Sequence, residues 1–230
     1  MLFRSENRIL FCQREAAETA IFLAEGRDRQ SFVHQIAELN AEYNDGLPRV
    51  ALKMATGTGK TVVLGMLIAW QTINKVRAPG SKQFTKKFLI IAPGLTIRDR
   101  LQVLKPSRDD NYYKQRDLVP VDLWGDLLQA EIAITNYHAF LPRATREGEG
   151  LAANVKKVLL KPGQPDPFVE TQSQVVTRVL KDLSNNSDPI IVLNDEAHHC
   201  YVDKPLASEK IDREDQARNE DARVWFKGIG

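Results

Sequence analysis

The chain has 230 residues, 43% hydrophobic and 27% charged, with a formal net charge of +2. That is enough apolar residue for a sizeable core in one large domain or two small ones, and it excludes a strongly electropositive body, so any nucleic-acid contact must come from a local patch. Cys12 and Cys200 build no disulfide framework, no apolar run reaches the length of a membrane span, and Arg, Glu and Asn interrupt MLFRSENRILFCQRE where a signal peptide would be apolar, so a reducing cytoplasm is the default expectation.

In chain order, residues 14–25 have helical periodicity and stop at Gly26, and residues 28–43 form a second helix with Phe32, Ile36 and Leu39 on one face. A turn at 44–48 leads to a short strand over 49–54 and a helix over 60–75. Residues 87–92 (KFLIIA), 132–135 (IAIT) and 190–193 (IIVL) are apolar, β-branched runs of strand length. Residues 170–183 are helical. Buried-type strands without alternation, separated by helices, predict an α/β fold with a mainly parallel sheet covered on both faces. Residues 105–120 and 143–167 are polar and turn-rich and read as surface insertions, and the mixed charges of 208–223 as a solvated helix.

Between the strand at 49–54 and the helix after it stands ATGTGKT, residues 55–61. A strand that turns sharply into a helix leaves backbone N–H groups pointing into one concavity. Gly57 and Gly59 lack a Cβ, so the backbone can approach an anion closely, and the helix N-terminus adds a positive dipole end. Lys60 can reach β- and γ-phosphates, and the Thr61 hydroxyl is placed to ligate Mg²⁺. Thr56, Gly57, Thr58, Gly59, Lys60 and Thr61 are therefore the expected triphosphate cradle. The strict phosphate-loop pattern wants a glycine where this chain has Met54. The alternative is an ordinary Gly-rich turn.

A hydrolase built on such a cradle also needs a carboxylate at the end of a neighbouring strand. IIVLNDEAHH, 190–199, supplies a pair. Asp195 is expected to hold Mg²⁺ with Thr61, and Glu196 to orient the attacking water; with Lys60 they form the expected catalytic set. His198, His199 and Cys200 are adjacent and cannot easily converge on one ion, so a zinc site is not expected; His198 is read as coupling nucleotide state to neighbouring elements. His34 and His138 are read as ordinary structural or surface histidines.

With these residues assembled, the chain resembles the first RecA-like domain of a superfamily 2 DEAD/DEAH helicase or translocase. DEAH at 195–198 is that superfamily's second motif as written, and 55–61 matches its first motif, in which the leading glycine is not required. FLIIAPGLTIRDRL (88–101) and ITNYHAF (134–140) are similar to two further motifs. The wording of APGLTIRDRL, ITNYHAF and VLNDEAHHCY is closest to Res subunits of type III restriction enzymes.

The resemblance implies an ATP- and Mg²⁺-dependent DNA translocase or helicase, tracking one strand of a duplex. It implies that Gln13 reads the adenine edge, with Phe11 or Arg14 near the base, and that Thr96, Arg98, Thr135 and Asn136 contact the nucleic-acid backbone. It implies a helical region at 1–46, a first RecA-like domain at 47–230, and as partners a second RecA-like domain and a methyltransferase or specificity subunit. Departures accompany it: a Ser-Ala-Thr motif, a second motor domain and a nuclease site are not recognisable, and RVWFKGIG at 223–230 looks like a cut, so a fragment of weak activity is expected. A repair or RNA helicase core, a nucleotide-gated binding module without turnover, and a small-molecule kinase are the alternatives.

Overall fold

The computed structural model describes residues 9–26, 28–44, 46–144, 168–184 and 187–195. Its centre is a parallel sheet of β1 (Lys87–Ala92), β2 (Glu131–Asn136) and β3 (Ile190–Asn194), in the order β2-β1-β3. These are the three apolar runs that the sequence marks as strands. Lys87 pairs with Glu131 on one side and Ile190 on the other, so the three strands start level.

Side chains of a strand alternate between faces. On one face Phe88, Ile90 and Ala92 pack with Ile68 and Ala69 of α3 (Lys60–Arg77) and with Leu101 of α4 (Leu95–Leu101). The same cluster takes in Leu104, Tyr113 and Leu127. On the other face Leu89 and Ile91 pack with Phe140 and with Val175 and Val179 of the helix Gln172–Val179. Every residue of β1 is buried, which is why KFLIIA shows no polar alternation.

The contacts of α3 fix its direction. Near its C-terminal end the Gln71 side-chain oxygen accepts from Thr85 N, and Lys75 Nζ donates to Ser81 O and pairs with Asp188 at 2.8 Å. Thr85 and Asp188 lie two residues before β1 and β3, and the Thr85 hydroxyl donates to Pro189 O. The helix therefore runs against the strands, and its N-terminus lies toward their carboxyl ends.

Lys75 is 8% exposed, so its ammonium relies on Asp188 and the Ser81 carbonyl in place of water. The Asp188 carboxyl is held below its ordinary value by the Lys75 hydrogen bond, against the opposing effect of burial. A depressed folded value means stability that is present above the unfolded pKa and is lost as pH falls through the folded one. Lys75→Met is expected to cost about 2 kcal/mol at neutral pH. It is also expected to flatten the acid-side fall in stability; urea melts between about pH 6 and 3 check both. An acid profile parallel to the parent's would show that this pair does not set it.

Two helices precede α3. The first, α1 (Phe11–Glu25), lies parallel to α3: its start touches the loop before α3, through Gln13 and Thr58, and Glu25 at its end accepts from the Trp70 indole N–H. The second, α2 (Gln30–Tyr43), differs from expectation. Phe32 and Leu39, read as part of one apolar face, are 52% and 54% exposed, and Asn40 is its buried residue. Asn40 donates to Arg49 O, and Phe32 meets the Phe22 ring edge-on. The periodicity is real, but α2 is anchored through a polar side chain and an aromatic edge.

Two further expectations are corrected. Residues 49–54 do not form a strand with any described strand. A strand exists only where a neighbour accepts its hydrogen bonds, and this segment is not laddered to β1, β2 or β3, so it enters the loop as unladdered chain. Residues 105–120 are not a surface insertion throughout. Tyr113 and Asn111 have no exposed area, and Leu104, Tyr113 and Leu118 close over Gly65 of α3. Asn111 satisfies its own burial: Oδ1 accepts from Lys114 N while Nδ2 donates to Pro106 O and Arg108 O. The helix expected over 170–183 is shorter, Gln172–Val179, opened by a Thr171–Gln174 capping box. Most of 143–167, and all of 208–223, lie outside the described residues.

Candidate functional site

The loop 55–59 is built by its own short-range bonds. The Thr58 hydroxyl and Thr58 N both reach Ala55 O, the hydroxyl at 2.7 Å. Gly57 and Gly59 have φ of +80° and +77°, a region that costs an L-residue with a Cβ roughly 1–2 kcal/mol. At Gly57 a Cβ would meet nothing within 4 Å, so the backbone angle alone selects glycine. At Gly59 a Cβ would also stand 2.4 Å from Gln13 Nε2. Gly59 caps α3 in the left-handed conformation, and Val62 N closes the first turn onto Gly59 O.

Thr56 and Gly57 are exposed, while Thr58, Gly59, Lys60 and Thr61 are half-buried. The helix that follows has 18 residues, long enough to carry a full dipole. With N–H groups of the loop and first turn outside the helical ladder, this end of α3 suits an anion of several charges.

Asp195 stands just past β3, half-buried, with its N–H donating to Ile91 O at 3.1 Å. It thus extends the β1–β3 ladder by one bond and is fixed at the carboxyl edge of the sheet. The start of α3 lies toward the same edge, by the direction its far end imposes. Glu196 and His198 lie outside the described residues.

The four residues expected at the nucleic acid sit at this edge too. Ala92 and Asn136 are register partners at the ends of β1 and β2, so the turn 93–96 emerges beside Asn136. Thr96 is exposed on the first turn of α4. Arg98 is 40% exposed in its side chain and donates from Nε and Nη2 to Asp99 Oδ1. The Thr135 hydroxyl makes a long 3.5 Å contact to Asn136 O. Asn136 Oδ1 accepts from Ala139 N and caps the short helix Tyr137–Phe140.

Two site features escaped sequence reasoning. Gln13 is bonded to the loop backbone: Nε2 donates to Thr58 O at 2.8 Å. The sequence places Gln13 just ahead of a helix over 14–25; the helix begins at Phe11 with Gln13 third in it, and the tie to a residue 45 positions on has no local signal. Arg178 is the other. Its guanidinium donates to both carboxylate oxygens of Glu170 and to the carbonyls of Ala139 and Leu141, bracing the turn after Asn136. Those hydrogen bonds hold the Glu170 carboxyl below its ordinary value. A lone arginine on an amphipathic helix gives no sequence signal for this. Among the described residues no cluster of His, Cys, Asp and Glu could hold a metal by itself, and no helix is long and apolar enough to cross a membrane.

Residues 12–221 match the family model described as type III restriction enzyme, res subunit. No curated protein and no solved structure matches the chain.

Proposed function

We propose a function that proceeds from one fact: this chain belongs to the type III restriction enzyme res subunit family, a helicase superfamily 2 domain family. It is a helicase-like, ATP-dependent motor domain by that membership. Beyond it, we propose that residues 47–230 are the first RecA-like domain of a DNA translocase serving restriction, with residues 1–46 as its helical preface. A second RecA-like domain and a methyltransferase or specificity subunit are the proposed partners, and duplex DNA tracked along one strand the proposed track.

The observation that carries the reading is the loop of Gly57 and Gly59, opening an 18-residue helix toward the sheet edge where Asp195 follows β3. Left-handed glycines, a helix N-terminus and a strand-end carboxylate fit a triphosphate with a hard divalent cation, for which oxygen ligands such as the Thr61 hydroxyl and the Asp195 carboxylate are suited. Mg²⁺, when bound, would neutralise charge developing on the phosphates.

The chain's own groups do the rest. N–H groups of Gly57, Gly59, Lys60 and Thr61 donate to phosphate oxygens, and the Lys60 ammonium follows the terminal phosphate. Glu196 holds a water in line and takes up its proton at a carboxylate oxygen. Thr96, Arg98, Thr135 and Asn136 supply donors for a strand backbone, positioning it without reading sequence. For Arg98 that requires exchange of Asp99 for a phosphate, a swap of one anionic partner for another. His198 relays nucleotide state to this surface.

The test is Glu196→Gln in the intact protein. It is expected to bind ATP as tightly as the parent within about twofold, and to lose turnover by about a hundredfold or more, the scale of a lost general base. Normal turnover in that variant would contradict the assignment of Glu196.

A further inference from the structure

We propose that Gln13 is a positioning residue for the phosphate loop, acting on the phosphate end of the ligand whatever its base. The proposal rests on the nucleotide site above and departs from the expectation that Gln13 serves to read adenine.

Gln13 is 6% exposed, and its carboxamide is held at both ends. Oε1 accepts from Leu10 N at 2.9 Å, and Nε2 donates to Thr58 O at 2.8 Å. Rotating the amide by half a turn would set oxygen against carbonyl and N–H against N–H, so one orientation is fixed.

The partner atom matters more than the bond. In a trans peptide the C=O and the following N–H point in opposite directions. Holding the Thr58 carbonyl toward Gln13 therefore turns the Gly59 N–H away from Gln13. A flip of that one peptide would present a carbonyl oxygen where the cradle needs a donor. Gly59, at φ +77°, is the kind of residue at which such a flip meets little steric resistance, so the loop needs an external hold.

The hold comes from a rigid element. Ala17 of α1 is 2% exposed, and at the far end Glu25 is tied to Trp70 and the Ala24 carbonyl to Gln83. Gln13 thus reaches the loop from a helix fastened alongside α3 at both ends.

The experiment measures equilibrium binding of MgATP, MgGTP and inorganic tripolyphosphate to the parent chain, Gln13→Ala and Gln13→Glu, well below each unfolding midpoint. The expected result is a loss of about five- to tenfold for all three ligands, with the ATP-to-GTP ratio unchanged. Gln13→Glu keeps the shape and the acceptor for Leu10 N but sets a carboxylate oxygen against Thr58 O, so it provides the answer if the alanine variant does not fold. Its loss should equal or exceed that of the alanine variant. A loss confined to ATP would overturn the proposal in favour of base reading. Unchanged affinity for tripolyphosphate with a lowered midpoint would also overturn it, leaving Gln13 a merely structural cap. If the parent binds none of the three, the nucleotide site itself fails, and this role fails with it.

Discussion

Replacing Lys60 by alanine is expected to weaken triphosphate binding by at least about thirtyfold, with the unfolding midpoint unchanged. The size follows from removing one partner of a desolvated, hydrogen-bonded charge pair, which costs about 2–5 kcal/mol. The fold should not notice. Lys60 is the first residue of α3, half-buried beside the capping Gly59, and alanine is the best helix former. Calorimetric titration with MgATP, beside a thermal melt, separates the two effects. Parent-like affinity in the variant would remove the cradle assignment, whatever the loop geometry.

The second large effect is on stability and lies where the sequence looks least structured. Tyr113→Ala should cost about 3–5 kcal/mol, the range for deleting a buried aromatic ring. The ring has no exposed area, and it packs in the same cluster as Ile68, Phe88 and Leu104. Its hydroxyl donates to Leu104 O at 2.8 Å, and burial pushes the phenol far above its ordinary pKa, so it stays a donor throughout the accessible pH range. Tyr113→Phe, which keeps the ring and deletes that bond, should cost about 1–2 kcal/mol. Urea melts of the two variants apportion ring and hydroxyl. A loss below about 1 kcal/mol for the alanine variant would show that this segment is dispensable to the core.

The contrast between Lys60 and Tyr113 shows what a sequence makes legible. β1, β2 and β3 could be read because a parallel strand buried on both faces must be a short apolar run, and KFLIIA, IAIT and IIVL have that form. The glycine turn before α3 could be read because its demands are local: glycine at positive φ and a helix directly after. Tyr113 could not be read because NYYKQRD is polar around it. Only the tertiary placement of Leu104 and Gly65 brings that one ring inside, while Asn111 satisfies the buried backbone about it.

Residues 49–54 fail in the opposite sense. Their composition suits a strand, but a ladder depends on tertiary placement against another strand, which no local pattern encodes. The apolar stripe of α2 is legible as a stripe, yet Phe32 and Leu39 remain exposed, because periodicity states that a face is apolar and not what covers it. At the site, Gln13 stands out in the sequence only by resemblance, and its partner does not show at all: the bond to Thr58 spans 45 residues.

The central claim is that this chain belongs to a motor whose ATP chemistry answers to nucleic acid. The most direct test is the steady-state rate of ATP hydrolysis by the intact protein, with and without duplex DNA and with single-stranded DNA or RNA in its place. The account predicts a rate that rises severalfold on adding duplex DNA and is lost in Lys60→Ala. Hydrolysis indifferent to every nucleic acid, or ATP binding with no hydrolysis under any of these conditions, would contradict it.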